Sequence, residues 1–166
     1  MKQYTAYILI SFFSIVSSDL IGMSDREVVI GTRHAQLRFS PEIFAVKPGT
    51  YVKLTLNNTD EMIHNLVLIK GGSKEIQRLA DLALNLGERG MEMGFVPKDP
   101  SIISAIGLVQ PGKKSSIEFT APMKKGDYSF VCTFPGHSLT MRGVMKVVDD
   151  PASVNFAEIK RASIGT

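Results

Sequence analysis

Three residues near the end of the sequence could together bind a transition metal. Cys132, His137 and Met141 follow one another in the pattern Cys-x4-His-x3-Met. A thiolate, an imidazole and a thioether on one short loop suit copper, and a second imidazole would complete a trigonal His2Cys centre with a weak axial methionine. His64, within Met-Ile-His-Asn-Leu-Val-Leu, can supply that imidazole. The sequence therefore predicts a copper site made of these four side chains.

The same residues allow other interpretations. A lone buried cysteine is usually a small apolar side chain, and Cys132 with His137 could instead serve as the nucleophile and base of an enzyme. Nothing in the sequence resembles an oxyanion hole. His34, which has no partner motif, is the one further histidine, so the catalytic copper centres of a multicopper oxidase or nitrite reductase cannot be assembled. The combined spacing favours copper, and we expect that the protein is not an enzyme.

The remaining methionines raise the question of a second, copper(I) site. Those considered are Met62, Met91, Met93, Met123 and Met145. Methionine commonly fills irregular gaps in a core or lies in loops. We therefore favour that ordinary role over a second site.

The first residues have the pattern of a secretory signal peptide. Lys2 gives a positive start, residues 7–16 form an apolar run, and Ser17-Ser18 offers small residues for cleavage before Asp19. The run is too short to span a bilayer comfortably. We therefore predict a signal peptide at residues 1–18, a periplasmic or secreted mature chain, and no stable membrane insertion of that chain.

Cysteine usage and charge agree with an exported, metal-binding protein. The sequence contains one cysteine, which cannot form an internal disulfide, and metal ligation would account for an unpaired thiol in an exported protein. The formal net charge is +3, from 19 basic and 16 acidic residues among 166. This mixed surface charge does not predict nucleic-acid binding.

Most of the chain has the pattern of short strands. Apolar, β-branched or alternating segments are separated by turns such as Pro48-Gly49 and Pro111-Gly112. The predicted strand segments are residues 27–33, 37–40, 43–46, 51–57, 64–69, 102–109, 115–120, 128–132 and 143–148, with Pro41 interrupting the second and third. We expect seven or eight strands in an antiparallel, Greek-key β-sandwich, an all-β fold.

One helix interrupts the strands. Apolar residues recur every three or four positions over residues 73–89, with Ser73 as a candidate N-cap, and we expect this helix to cover the core. Residues 91–100 are rich in Gly, Pro and Met and should form a loop. The predicted domain covers residues 19–148, and residues 149–166 form a C-terminal tail in which residues 153–161 could be helical.

The sequence resembles the cupredoxins, the blue copper proteins of the azurin, auracyanin and plastocyanin type. The resemblance rests on Cys132-Thr-Phe-Pro-Gly-His137 with Met141 four residues later, and on His64-Asn65. Turns at Pro48-Gly49 and Pro111-Gly112, and the segment Phe119-Thr-Ala-Pro122, also match. It extends over residues 27–148, and residues 73–100 follow no azurin pattern.

The resemblance also implies how the site is supported. Asn65 should bond the ligand loop near Thr133, and backbone N–H groups near Asn65 and Phe134 should point at the sulfur. A glycine whose carbonyl approaches the metal in azurin is replaced by Ile63, and the azurin disulfide is absent.

The expected function is that of a type 1 copper protein that carries single electrons outside the cytoplasm. The resemblance implies redox partners such as c-type cytochromes, a dehydrogenase or an oxidase. Electrons should pass through the edge of His137, which apolar residues surround: Met62, Ile63, Pro135 and Leu139. The alternative is a protein that stores or delivers copper.

Overall fold

The chain folds into two β-sheets that face each other. A computed structural model describes residues 25–155, and within this range it contains nine strands, one α-helix and two 3-10 helices. The strands are β1 (Arg26–Arg33), β2 (Arg38–Ser40), β3 (Ile43–Val46), β4 (Tyr51–Asn57), β5 (His64–Lys70), β6 (Ile102–Val109), β7 (Lys114–Thr120), β8 (Gly126–Val131) and β9 (Arg142–Val147). The helix α1 is Ser73–Leu84, and the 3-10 helices are Gly87–Gly90 and Pro151–Ser153.

The strand order is that of a β-sandwich with crossing connections. The first sheet has the order β2-β1-β4-β7 and the second the order β3-β9-β8-β5-β6. Most neighbours are antiparallel, as predicted, but β1 pairs with β4 and β3 pairs with β9 in parallel. Parallel neighbours cannot be joined by a tight hairpin, so both pairs join strands that are distant along the chain.

The all-β prediction is confirmed, although the count of seven or eight strands is too low. The segments on either side of Pro41 belong to different sheets, because β2 pairs with β1 and β3 pairs with β9. Proline cannot donate a ladder hydrogen bond and commonly ends a strand. The chain therefore changes sheets at Pro41.

The core lies between the sheets and continues beneath the helix. Strand β4 alternates, with Val52, Leu54 and Leu56 fully buried. Strand β5 is buried on both faces, because its second face is covered by Ile76 and Leu79 of α1. The helix thus covers the core as predicted. Because β5 is buried on both faces, the residues after His64 form a continuous apolar run and do not alternate with polar ones.

The helix is shorter than predicted. It ends at Leu84, and Gly87, with φ of 55°, begins a 3-10 turn in place of a further α-helical turn. Ser73 is the first helical residue, so the N-cap prediction is wrong by one position: Gly72 is the N-cap, and its N–H donates to Oε2 of Glu75 at 3.1 Å. A reaching glutamate three residues later satisfies one of the free N–H groups at the helix start.

Predictions for the two ends fall largely outside the described residues. The signal peptide at residues 1–18 lies there entirely. In the tail, the predicted helix at residues 153–161 does not begin as expected, because Ser153 ends a 3-10 turn and Val154 has an extended backbone; its remainder lies outside. Within residues 25–155, no helix has the length and apolar character needed to cross a membrane.

Candidate metal centre

Neighbouring strands bring the predicted site residues together at one end of the second sheet. His64 is the first residue of β5, and Cys132 directly follows β8. These strands pair antiparallel, with Val67 opposite Val131, so the start of β5 lies beside the end of β8. The ligand loop, defined as residues 132–141, then returns the chain to β9. The sheet register therefore places two segments far apart in sequence at one point.

Three potential ligand atoms converge there. The Cys132 Sγ lies 3.5 Å from His137 Nδ1 and 4.0 Å from His64 Nδ1, and the two Nδ1 atoms are 3.2 Å apart. All three side chains are buried. Within residues 25–155 they form one cluster able to hold a metal ion. Two imidazoles and one thiolate around a common point fit a copper ion of the type 1 kind.

The ligand loop is held by its own backbone. The Cys132 N–H donates to the Met141 carbonyl at 2.9 Å, which ties the two ends of the loop together. The His137 N–H donates to Phe134 O at 3.0 Å, and Met141 N–H donates to His137 O at 2.9 Å. Gly136, with φ of 85°, adopts the left-handed conformation that this tight turn requires. Met141 is fully buried in the same apolar cluster as Cys132.

The surroundings of Cys132 keep its thiol neutral when no metal is bound. Burial raises the pKa of Cys132 to about 11, although the backbone N–H groups of Asn65 and Phe134 point at the sulfur and act in the opposite direction. The predicted N–H contacts are therefore confirmed. Because a metal binds the thiolate, metal binding must release this proton.

The two histidines are held neutral as well. Burial lowers the pKa of His64, and the neighbouring Asp60 opposes that shift. Burial also lowers the pKa of His137, and the nearby His64 acts in the same direction. Neutral imidazoles are the form that binds metal, so both rings are ready to act as ligands near neutral pH.

Asn65 connects the site to the rest of the fold. Its Oδ1 accepts from the Thr133 N–H at 2.8 Å, and its Nδ2 donates to Thr133 Oγ1 at 2.9 Å. This bond to the ligand loop was predicted. The sequence did not predict that Nδ2 also donates to Gly94 O at 2.7 Å, or that Thr133 Oγ1 donates to Phe95 O at 2.6 Å. Residues after α1 thus contact the site.

An aromatic row extends the same contact. The Phe95 and Phe134 rings meet edge to face with centroids 5.2 Å apart, and Phe134 lies 4.9 Å from the His137 ring. Gly90 allows Phe95 to lie close, because a Cβ at Gly90 would come within 2.3 Å of the Phe95 ring. The row shields one side of His137.

The other candidates lie apart from this cluster or have ordinary roles. The side chain of His34 is 64% exposed, as expected for a surface residue. Met145 is buried in the core, whereas Met62, Met91 and Met123 are exposed.

The sequence did not predict Asp60 as part of the site, although it precedes His64 by four positions, because an aspartate in a polar loop carries no distinctive signal. Its Oδ2 lies 3.2 Å from His64 Nε2.

Known proteins are similar to this chain in sequence. Residues 26–148 match the family described as copper binding proteins, plastocyanin/azurin family. Auracyanin-A of Chloroflexus aurantiacus is 32% identical over 122 residues, which cover 72% of this chain and 73% of that protein. Azurin of Methylobacillus flagellatus is 38% identical over 91 residues, covering 53% of this chain and 58% of azurin.

Solved structures give the same result. The reduced auracyanin of Roseiflexus castenholzii has a TM-score of 0.67 and 34% identity, and the match covers 76% of this chain and 99% of that one. Auracyanin A of Chloroflexus aurantiacus, described as a blue copper protein, also has a TM-score of 0.67, with 30% identity, 74% of this chain and 98% of that one covered. Electron transfer is the general role of such proteins. The chain therefore belongs to the plastocyanin/azurin family of copper-binding proteins, the cupredoxins.

Proposed function

We propose that the protein is a type 1 copper protein that carries single electrons between redox partners outside the cytoplasm. The observation that carries this proposal is the convergence of His64 Nδ1, Cys132 Sγ and His137 Nδ1 in one buried cluster. These three groups would hold the copper, and the buried Met141 would add a weaker thioether ligand. Copper bound there would supply the one-electron couple between Cu(II) and Cu(I).

The chain's own residues account for the proposed mechanism by keeping the site fixed. The loop hydrogen bonds hold Cys132 and His137, and the Asn65 bonds hold the loop against β5. The N–H groups that point at the sulfur would stabilise a thiolate and favour the reduced state. Burial excludes water from the ligand atoms. A site that changes little between oxidation states needs little reorganisation when an electron enters or leaves.

The partner and the cellular location are part of the proposal. The chain would accept electrons from, or give them to, c-type cytochromes, a dehydrogenase or an oxidase. The predicted signal peptide at residues 1–18 supports export to the periplasm or beyond, with residues 19–148 as the folded domain and residues 149–166 as a tail. Transient docking around His137 would suit a carrier and would leave no stable complex.

A copper-handling role is the second candidate, and a direct experiment separates the two. The purified mature chain is loaded with Cu(II), and its visible spectrum and voltammetry are recorded. A carrier gives an intense visible band, a reversible one-electron wave and no transfer of copper to a metal-free acceptor. Cys132→Ser should remove the band. Copper loading without colour, or rapid transfer of copper to the acceptor, would contradict electron carriage.

A further inference from the structure

The proposed copper ligand His64 makes a contact on the side away from the ligand cluster. Its Nε2 lies 3.2 Å from Asp60 Oδ2, while its Nδ1 faces Cys132 and His137. His64 is fully buried and Asp60 is 5% exposed. A buried carboxylate thus lies behind one imidazole of the site, at hydrogen-bonding distance.

This contact determines where the His64 proton lies. An ionised carboxylate can only accept a hydrogen bond, so Nε2 must carry the proton and Nδ1 must present its lone pair. Hydrogen bonds from the N–H groups of Glu61 and Ala35 to Oδ1, together with the contact of Oδ2 with His64 Nε2, favour the ionised form of this carboxyl group. The carboxylate is therefore negatively charged near neutral pH.

Asp60 is itself held in one orientation. Its Oδ1 accepts from the N–H groups of Glu61 at 2.8 Å and Ala35 at 3.3 Å, which leaves Oδ2 for His64. The Asp60 N–H donates to Oδ1 of the fully buried Asn58 at 3.0 Å. Asn58 in turn donates to the carbonyls of residues 62 and 109 at 2.7 and 2.8 Å. The loop before β5 is therefore built to keep this carboxylate in place.

We propose that Asp60 is a positioning residue for the copper centre, an inference that rests on the proposed function. Asp60 fixes His64 in the tautomer whose Nδ1 can bind the metal. Its negative charge, passed through the hydrogen bond to the imidazole, makes His64 a stronger donor and stabilises Cu(II) relative to Cu(I). Asp60 thereby holds the reduction potential below the value that a neutral side chain would give.

Asp60→Asn tests this proposal with almost no change in shape. The two N–H groups at Oδ1 require an oxygen there, so the new amide NH2 faces His64 Nε2 and cannot accept its proton. Loss of a hydrogen-bond partner behind a metal-bound histidine weakens metal binding by about 10–100-fold. We expect about a tenfold loss of Cu(II) affinity relative to Cu(I), which raises the potential by about 59 mV.

Glu61→Gln is the matched control. It removes the same charge one position away, from an exposed side chain with no bond to His64, and it should leave the potential near that of the wild type. An unchanged potential in Asp60→Asn would overturn the proposal. Equal shifts in both variants would also overturn it, because they would reflect general electrostatics and not the bond to His64.

A second measurement does not depend on copper. Nitrogen-15 NMR of the metal-free wild type, at a pH where the histidines are neutral, should show His64 with its proton on Nε2. A proton on Nδ1 would overturn the proposal, even if Asp60→Asn failed to fold. A wild type with this tautomer but without a blue copper centre would contradict the proposed function and leave Asp60's orienting role supported.

Discussion

Asn65 and Thr133 are joined by two hydrogen bonds, one to the backbone N–H of Thr133 at 2.8 Å and one to its hydroxyl at 2.9 Å. The Thr133 hydroxyl in turn donates a hydrogen bond to Phe95 O at 2.6 Å. Thr133 is 1% exposed and Asn65 is fully buried. Strand β5, the ligand loop and the segment after α1 therefore meet at one side chain.

Thr133→Val should destabilise the metal-free protein. Valine has nearly the same shape but leaves Phe95 O without its donor and one Asn65 N–H without an acceptor. Loss of a partner for a buried polar group costs about 1–3 kcal/mol, and denaturant unfolding would measure it. Thr140→Val, the same change at an exposed position of the same loop, is the control and should have little effect. Equal stability of Thr133→Val and the wild type would show that this junction does not stabilise the fold.

The family resemblance and the ligand types made the convergence of His64, Cys132 and His137 predictable, because the signals are local. Cys132, His137 and Met141 lie on one loop, and their spacing alone predicts a common ligand set. His64 needs only one further inference, that its strand pairs with the strand before the loop. The alternation of β4 and the period of α1 predicted the main elements in the same way.

The remaining features depend on distant contacts. Phe95 has φ of 52°, a conformation that residues with side chains seldom adopt, and the sequence around it predicted only a loop. Its contact with Thr133 joins positions 38 residues apart. The role of Asp60 cannot be predicted from its local sequence, because it depends on the loop that places its carboxylate beside His64 Nε2. The parallel β1–β4 and β3–β9 pairs likewise follow from the overall topology and not from any local pattern.

Met141→Leu should retain copper but raise the reduction potential. A weak axial thioether contributes little to binding, and its removal disfavours Cu(II) more than Cu(I). Voltammetry of the loaded variant would measure the shift. Met145→Leu makes the same change at a buried core methionine of β9 and should leave the potential nearly constant. Complete loss of copper binding in Met141→Leu would mean that Met141 is more than a weak axial ligand.

The metal-free protein should lose stability as the pH rises through the alkaline range. The pKa of the Cys132 thiol is about 11 in the fold against an ordinary value of 9.0. Between these pH values the unfolded chain releases the proton and the folded chain keeps it, so rising pH favours unfolding. The loss approaches about 3 kcal/mol at the upper end.

Cys132→Ser isolates this contribution, because every other titrating group is shared with the wild type. Denaturant unfolding of both metal-free proteins at a series of alkaline pH values gives the difference in their free energies of unfolding. The free energy of unfolding of the wild type minus that of Cys132→Ser should fall as the pH rises. Parallel curves would show that the buried thiol does not titrate differently in the folded and unfolded chains.

Electrons should enter and leave at the apolar surface around His137. Leu139 is 68% exposed and Met62 is 44% exposed, while Ile63 and Pro135 are half-buried. Exposed apolar groups close to a buried redox centre suit transient docking, and such encounters bury about 1,200 Å² or less in total. Leu139→Asp or Met62→Lys should therefore slow electron self-exchange, on the order of tenfold at low ionic strength, through desolvation and repulsion between like charges.

Met123→Lys separates this local effect from a change in net charge. Met123 is 76% exposed and precedes β8, whereas the ligand loop follows β8, so it lies at the opposite end of that strand. The Met123→Lys variant carries the same added charge as Met62→Lys and should exchange electrons at close to the wild-type rate. All three variants should keep the wild-type visible spectrum, because none alters a ligand. Wild-type self-exchange in Leu139→Asp and Met62→Lys at both low and high salt would place the route of electron entry elsewhere on the surface.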